Sequence, residues 1–196
     1  MSAPVRVAVL VSGRGSNMRS LAAAAGHAYE IALVASDKPE AAGLAWAREQ
    51  GLATFALSPR GIGKPAYEAA LDAALRAAGV QVIALAGYMR LLSDDLVARW
   101  RGRIVNIHPS LLPKYKGLDT HARAIAAGDA VAGCSVHVVT EELDGGAVLG
   151  QAEVPIEPGD TPDTLAERVL AAEHRLYPEE LARFVREGSW REGRVA

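Results

Sequence analysis

The chain has a single cysteine, Cys134, in 196 residues. No internal disulfide can form, and a reducing, cytoplasmic setting is expected. Aromatic residues supply 5% of the sequence, so the core must be built from aliphatic side chains. Neither sign of charge dominates, since 21 Lys and Arg against 23 Asp and Glu leave a net charge of −2. With no basic run, a nucleic-acid surface is not expected. No apolar run approaches the roughly 20 residues that span a bilayer, and Met1–Arg6 lacks a signal-peptide pattern, so no membrane partner is expected. Internal repeats, low-complexity tracts and linkers are missing as well. What remains is half hydrophobic with ordinary charge, the composition of a folded globular domain.

The order of elements predicts an α/β fold, Rossmann-like, with a mostly parallel sheet, helices on both faces and an antiparallel edge in the C-terminal half. Val5–Val11 reads as a buried strand, Ser12–Asn17 as a glycine turn and Met18–Ala25 as a helix, the opening unit of a doubly wound sheet. Strands at Ile31–Ala35, Thr54–Leu57 and Val80–Ala86 alternate with helices at Ala41–Gln50 and Pro65–Ala78, closed by Gly51 and Gly79. Ser93 caps a short helix through Trp100, with Asp94 and Asp95 in its first turn. Another helix starts at Thr120 or His121 and ends at Gly128. Val131–Thr140 and Val148–Ile156 flank the polar turn Glu141–Gly146 as a hairpin, which supplies the antiparallel edge. Asp160-Thr161-Pro162 starts the last long helix, and Pro178 is expected to interrupt it after Tyr177.

One stretch concentrates the chemistry, Ile104–Pro113, which reads I-V-N-I-H-P-S-L-L-P. Its β-branched start predicts a strand, the period of two puts Asn106 and His108 on one side, and Pro109 ends it. An amide beside an imidazole can stabilise a developing oxyanion and shuttle a proton. In Val131–Gly146, Ser135, His137 and Val139 alternate on one face with Cys134, Val136 and Val138 on the other. Asp144 follows in a turn that can carry a carboxylate to the sheet edge, where it would orient or ionise His108. Its spacing equally describes an ordinary Asp-Gly turn. His108, His121 and His137 match no standard metal spacing, and Cys134 reads as a small core residue.

The opening turn, S-G-R-G-S-N, offers the amides of Gly15, Ser16 and Asn17 at a helix N-terminus, a site for a small phosphate. Met18 stands where a dinucleotide fingerprint needs its third glycine, and no Gly-Lys-Ser/Thr follows. Asp37 stands where a ribose-binding acid belongs, so a non-catalytic nucleotide-binding module is one rival. Gly87–Leu92 follows a buried strand at its carboxyl end, and an apolar loop carrying Arg90 suits a flat aromatic ligand. Glu173 and His174 read as solvated helix face.

These segments, with A-G-Y-M-R-L-L, N-I-H-P-S-L-L-P-K-Y, S-V-H-V-V-T-E-E-L-D-G-G and A-E-H-R-L-Y-P in this order, resemble the folate-dependent formyltransferases over nearly the whole chain. Within them the chain is most similar to the phosphoribosylglycinamide formyltransferase family. The resemblance implies transfer of the formyl group of 10-formyltetrahydrofolate, a co-substrate, to the glycyl amine of glycinamide ribonucleotide in purine biosynthesis. It implies direct attack through a tetrahedral intermediate, with no covalent enzyme intermediate and no metal. Asn106, His108 and Asp144 would be catalytic. Gly15, Ser16, Asn17 and Glu173 would hold the ribonucleotide, and Lys64, Met89, Arg90, Leu91, Leu92, Thr140 and Glu141 the folate. One formyltransferase domain over residues 1–196 is implied, 1–100 its phosphate-binding half and 101–196 its catalytic and folate-binding half. Small-molecule substrates and a monomer or weak homodimer are implied as well. Lys116 and Asp119 depart from the Pro and His common at these positions in the proteins it resembles. A hydrolase releasing formate on the same scaffold is the second rival, though it has no use for the phosphate turn.

Overall fold

Strands that are apolar on both faces need cover on both sides, and this requirement organises the molecule. The computed structural model describes residues 3–191. In chain order the elements are β1 (Val5–Val11), α1 (Ser16–Ala23), β2 (Tyr29–Ser36), α2 (Ala42–Glu49), β3 (Thr54–Ala56), α3 (Gly63–Ala77) and β4 (Val82–Leu85). They continue with α4 (Asp94–Arg99), β5 (Ile104–His108), α5 (Thr120–Ala126), β6 (Val131–Val138), β7 (Val148–Pro155) and α6 (Pro162–Glu187). The strands form one seven-stranded sheet in the order β3-β2-β1-β4-β5-β6-β7. β3 through β5 are parallel, β6 runs antiparallel to β5, and β7 antiparallel to β6. The expected α/β architecture with an antiparallel C-terminal edge is the one observed.

Period two divides β1 between two cores. Val5, Val7, Val9 and Val11 pack with α1, α2, α5 and α6, whereas Ala8 and Leu10 pack with α3 and α4. β5 is divided in the same way. Val105 and Ile107 face the α6 side, and Ile104 the other. Asn106 and His108 therefore share the face opposite α6, beyond Ile104 and toward the carboxyl end of the strand.

Two expectations change. Pro178 does not interrupt α6, which runs unbroken from Pro162 to Glu187. A proline inside a helix removes one hydrogen bond at a cost of about 3 kcal/mol. Tyr177, Leu181, Phe184 and Val185, all buried around it, offset that loss. Glu173 is the second, because it is buried rather than a solvated helix face. The reason is Tyr177, one turn along, whose hydroxyl donates to Leu85 O and Val105 O, both at 3.0 Å. Those bonds tie the helix to the end of β4 and the start of β5.

Candidate active site

The sheet reverses its strand order between β1 and β4, and ligands of open α/β sheets lie at such a point. The loops after these strands are joined directly. Ser12 N donates to Gly87 O at 3.1 Å, and Ser12 Oγ accepts from Met89 N at 2.9 Å while donating to Asp37 Oδ1 at 2.6 Å. Asp37 is thus buried and engaged by Ser12, which removes the feature that favoured a nucleotide-binding module.

The glycine turn is shaped by close approach. Gly15 caps α1 with φ 73°, and a Cβ there would stand 3.0 Å from Gly43 Cα. Only glycine allows α1 and α2 to meet at this distance with that backbone. The first-turn amides of α1 belong to Ser16, Asn17 and their neighbours, and no side chain caps this helix end. Asn17 Nδ2 donates to Glu173 Oε2 at 2.7 Å, while Asn17 Oδ1 is buried without a partner. Burial, only partly countered by the Asn17 hydrogen bond, raises the pKa of Glu173. Residues 156 apart in sequence are thus brought together at the turn.

A second group lies on the α3–α4 side of β5 and β6. The register pairs Asn106 with His137 and His108 with Ser135, so all four share one face. Asn106 Nδ2 lies 3.1 Å from His137 Nε2, and His137 Nδ1 lies 3.1 Å from Val138 O. The tautomer that donates from Nδ1 to this carbonyl leaves Nε2 to accept from the amide. Burial lowers the pKa of His137 and favours this neutral ring.

His108 is held differently. Its Nε2 lies 2.9 Å from Tyr115 O, and its Nδ1 faces Asp144 Oδ2 at 3.5 Å. Both ring nitrogens face acceptors, so a protonated ring donates to both. Asp144 Oδ1 is also 3.6 Å from His137 Nε2, and Oδ2 accepts from Gly117 N at 2.9 Å. Its side chain is 9% exposed, and its φ of 48° is uncommon for a non-glycine residue. The turn bends back sharply: a Cβ on Gly146 would stand 1.8 Å from Val138 O. A carboxylate set between two imidazoles, one neutral and one able to take a second proton, can move protons. The amide N–H beside them can donate to a developing negative charge.

The remaining residues assigned by resemblance lie in two places. Met89 and Leu91 are each 69% exposed, an apolar surface at the switch point, with Leu92 half-buried beside them. Arg90 lies over the Tyr67 ring at 5.8 Å. Lys64, at the start of α3, has its ammonium 3.9 Å from Glu68 Oε1, and Glu68 accepts from Ser93 N at 2.9 Å. Thr140 and Glu141 lie elsewhere, where the chain leaves β6 beside the start of β5. Glu141 accepts from Arg101 there at 2.7 Å and does not join the His108 group. Among the described residues, no three His, Cys, Asp or Glu side chains are set to hold a metal ion, and no helix is long and apolar enough to cross a membrane.

Residues 5–181 match the family described as formyl transferase. The chain belongs to the formyl transferase family. Over 178 residues it is 43% identical to the phosphoribosylglycinamide formyltransferase of Escherichia coli (strain K12), covering 89% of this chain and 84% of that protein. Over 186 residues it is 46% identical to the trifunctional purine biosynthetic protein adenosine-3 of Drosophila melanogaster, covering 92% of this chain but only 14% of that protein. The crystal structure of phosphoribosylglycinamide formyltransferase from Brucella melitensis superimposes with a TM-score of 0.89 at 52% identity, over 93% of this chain and 96% of that one. Glycinamide ribonucleotide transformylase 1 from Symbiobacterium toebii gives a TM-score of 0.90 at 38% identity, over 95% and 90% of the two chains.

His137 is the residue that sequence reasoning left out of the site. Its signal was present: Ser135, His137 and Val139 alternate on one face of β6, and the antiparallel pairing of β6 with β5 lays His137 against Asn106.

Proposed function

We propose that the chain transfers the formyl group of 10-formyltetrahydrofolate to the glycyl amine of glycinamide ribonucleotide, a step of purine biosynthesis. The observation that carries the chemistry is the convergence of Asn106, His108, His137 and Asp144 beside the switch point. Family membership and the 43% identity to the Escherichia coli enzyme support the substrate pair.

In this mechanism the uncharged glycyl amine attacks the formyl carbon, and the carbonyl oxygen becomes an oxyanion. One amide N–H of Asn106 is directed to His137, and the other donates to the oxyanion. Such a donor lowers the barrier by about 3–4 kcal/mol. Tyr115 O occupies Nε2 of His108, so Nδ1, which faces the Asp144 carboxylate, is the nitrogen left to exchange a proton. Asp144 stabilises the imidazolium and relays the proton from the attacking nitrogen to the departing folate nitrogen. No covalent intermediate is invoked. Cys134, the only thiol, lies on the other face of β6, and burial pushes its pKa up to about 12.

The α1 turn and Glu173 take the phosphate and ribose of the ribonucleotide, and Met89–Leu92 with Lys64 takes the folate. On this assignment residues 1–100 of one domain supply the phosphate turn, Lys64 and Met89–Leu92, and 101–196 supply the catalytic group, Glu173 and the Thr140–Glu141 segment assigned to the folate. The test follows the absorbance of a 10-formyl folate with and without glycinamide ribonucleotide. Deformylation that requires the ribonucleotide and yields its formylated product supports the transferase. Release of formate in water alone would make the chain a hydrolase.

A further inference from the structure

We propose that the backbone of Tyr115, Lys116 and Gly117 forms a clip that sets the His108–Asp144 pair, and that Arg123 is the positioning residue that holds it. This inference rests on the formyl-transfer reading for its kinetic consequence, but not for its geometry. Three consecutive residues reach both members of the pair. Tyr115 O lies 2.9 Å from His108 Nε2, and Gly117 N donates to Asp144 Oδ2 at 2.9 Å. Between them Lys116 Nζ donates to Glu142 Oε1 at 2.7 Å, two residues before Asp144. The spacing of the histidine and carboxylate is therefore fixed by one short stretch of main chain.

That stretch does not hold itself. Tyr115 has φ 56°, a conformation that bulky side chains adopt only where their surroundings impose it. The surroundings are specific. The Tyr115 hydroxyl donates to Asp129 Oδ2 at 2.6 Å, and the Arg123 guanidinium lies 5.1 Å from the centre of its ring. Arg123 also donates from one nitrogen to Lys116 O at 2.7 Å and to Leu118 O at 3.3 Å. It projects from the last turn of α5, where a cation interacts favourably with the helix dipole. Without it, two loop carbonyls lose their donor and the Tyr115 ring keeps only the Asp129 hydrogen bond and the Lys114 ammonium, 5.7 Å from its centre. The backbone can then relax toward negative φ, which turns Tyr115 O away from His108 and draws Gly117 N from Asp144.

The test compares wild type with Arg123→Met, which keeps the aliphatic stem, and Arg123→Lys, which keeps one donor group. In Arg123→Met, kcat should fall about tenfold, with KM for both substrates within about twofold and the pH profile of kcat displaced. Arg123→Lys should be intermediate. In the ligand-free protein, nitrogen NMR of the imidazoles should show a hydrogen-bonded Nε2–H of His108 that weakens in Arg123→Met. Wild-type kcat, an unchanged pH profile and an unchanged His108 signal in folded Arg123→Met would overturn the clip. If wild type transfers no formyl group, the functional reading fails, and the His108 signal still decides the clip. If Arg123→Met does not fold, Arg123→Lys and Lys116→Gln are compared instead. A His108 signal equal to wild type in both would overturn the proposal.

Discussion

Glu173→Gln should separate substrate binding from stability. Glu173 is 6% exposed, and its carboxylate accepts from Asn17 Nδ2 at 2.7 Å; burial outweighs this bond and holds its pKa above the ordinary 4.5. A carboxyl whose folded pKa is raised makes its full contribution below the unfolded pKa and loses it as pH rises through the folded value. Above about pH 4.5, the charge of Glu173 therefore works against the fold. Glutamine keeps the shape and the acceptor for Asn17 and carries no charge. Its amide can also donate to Asn17 Oδ1, which is buried without a partner. The variant should match wild type below pH 4.5 and unfold at a higher temperature at pH 8, by about 2–4 °C for each kcal/mol relieved. Ribonucleotide binding should move the other way. A hydrogen bond to a charged acceptor is worth about 1.5–3 kcal/mol and a neutral one about 1, so KM should rise about two- to thirtyfold. Scanning calorimetry at several pH values and steady-state kinetics measure both quantities. A lower Tm at every pH, or an unchanged KM for the ribonucleotide, would refute this assignment of Glu173.

Other variants test the positions around it. Gly15→Ala forces a side chain into φ 73° against Gly43 Cα, so denaturant unfolding should show a loss of about 1–3 kcal/mol, and KM for the ribonucleotide should rise. Tyr177→Phe removes the hydroxyl that ties α6 to β4 and β5 and should lower stability by about 1–3 kcal/mol, read by the same method. Asn106→Ala should lower kcat by about 10²–10³, and His137→Ala by less. Because His137 acts through Asn106, the pair should be non-additive, with His137→Ala adding little in the Asn106→Ala background. A kcat for the double variant equal to the product of the two single effects would remove His137 from that role.

The fold was legible because its strands are nearly continuous aliphatic runs and its helices carry their own stop signals, such as Gly51 after α2. Alternation within each strand also placed Asn106 and His108 on one side without any knowledge of their partners. Long-range contact was harder to read. Asp144 fits an ordinary turn by spacing, and only the return of the loop over β5 sets it between two histidines. Glu173 has the local pattern of a solvated helix face, and its burial is decided by the bonds of the Tyr177 hydroxyl to Leu85 and Val105 and by Asn17, contacts that span 72 to 156 residues of sequence. Pro178 carries a strong local signal for a break, and packing along α6 overrides it. His137 was placed on the correct face but given no function, because its role depends on pairing with Asn106 across two strands.

The most direct test of the central claim follows an isotopically labelled formyl group from 10-formyltetrahydrofolate in wild type, Asn106→Ala and His108→Ala. Mass spectrometry reads where the label goes, and folate binding is measured in parallel. The mechanism predicts label on the glycyl amine of the ribonucleotide in wild type. In both variants transfer should slow by orders of magnitude while folate binding survives. Transfer at the wild-type rate in either variant, or label appearing as formate in wild type, would contradict it.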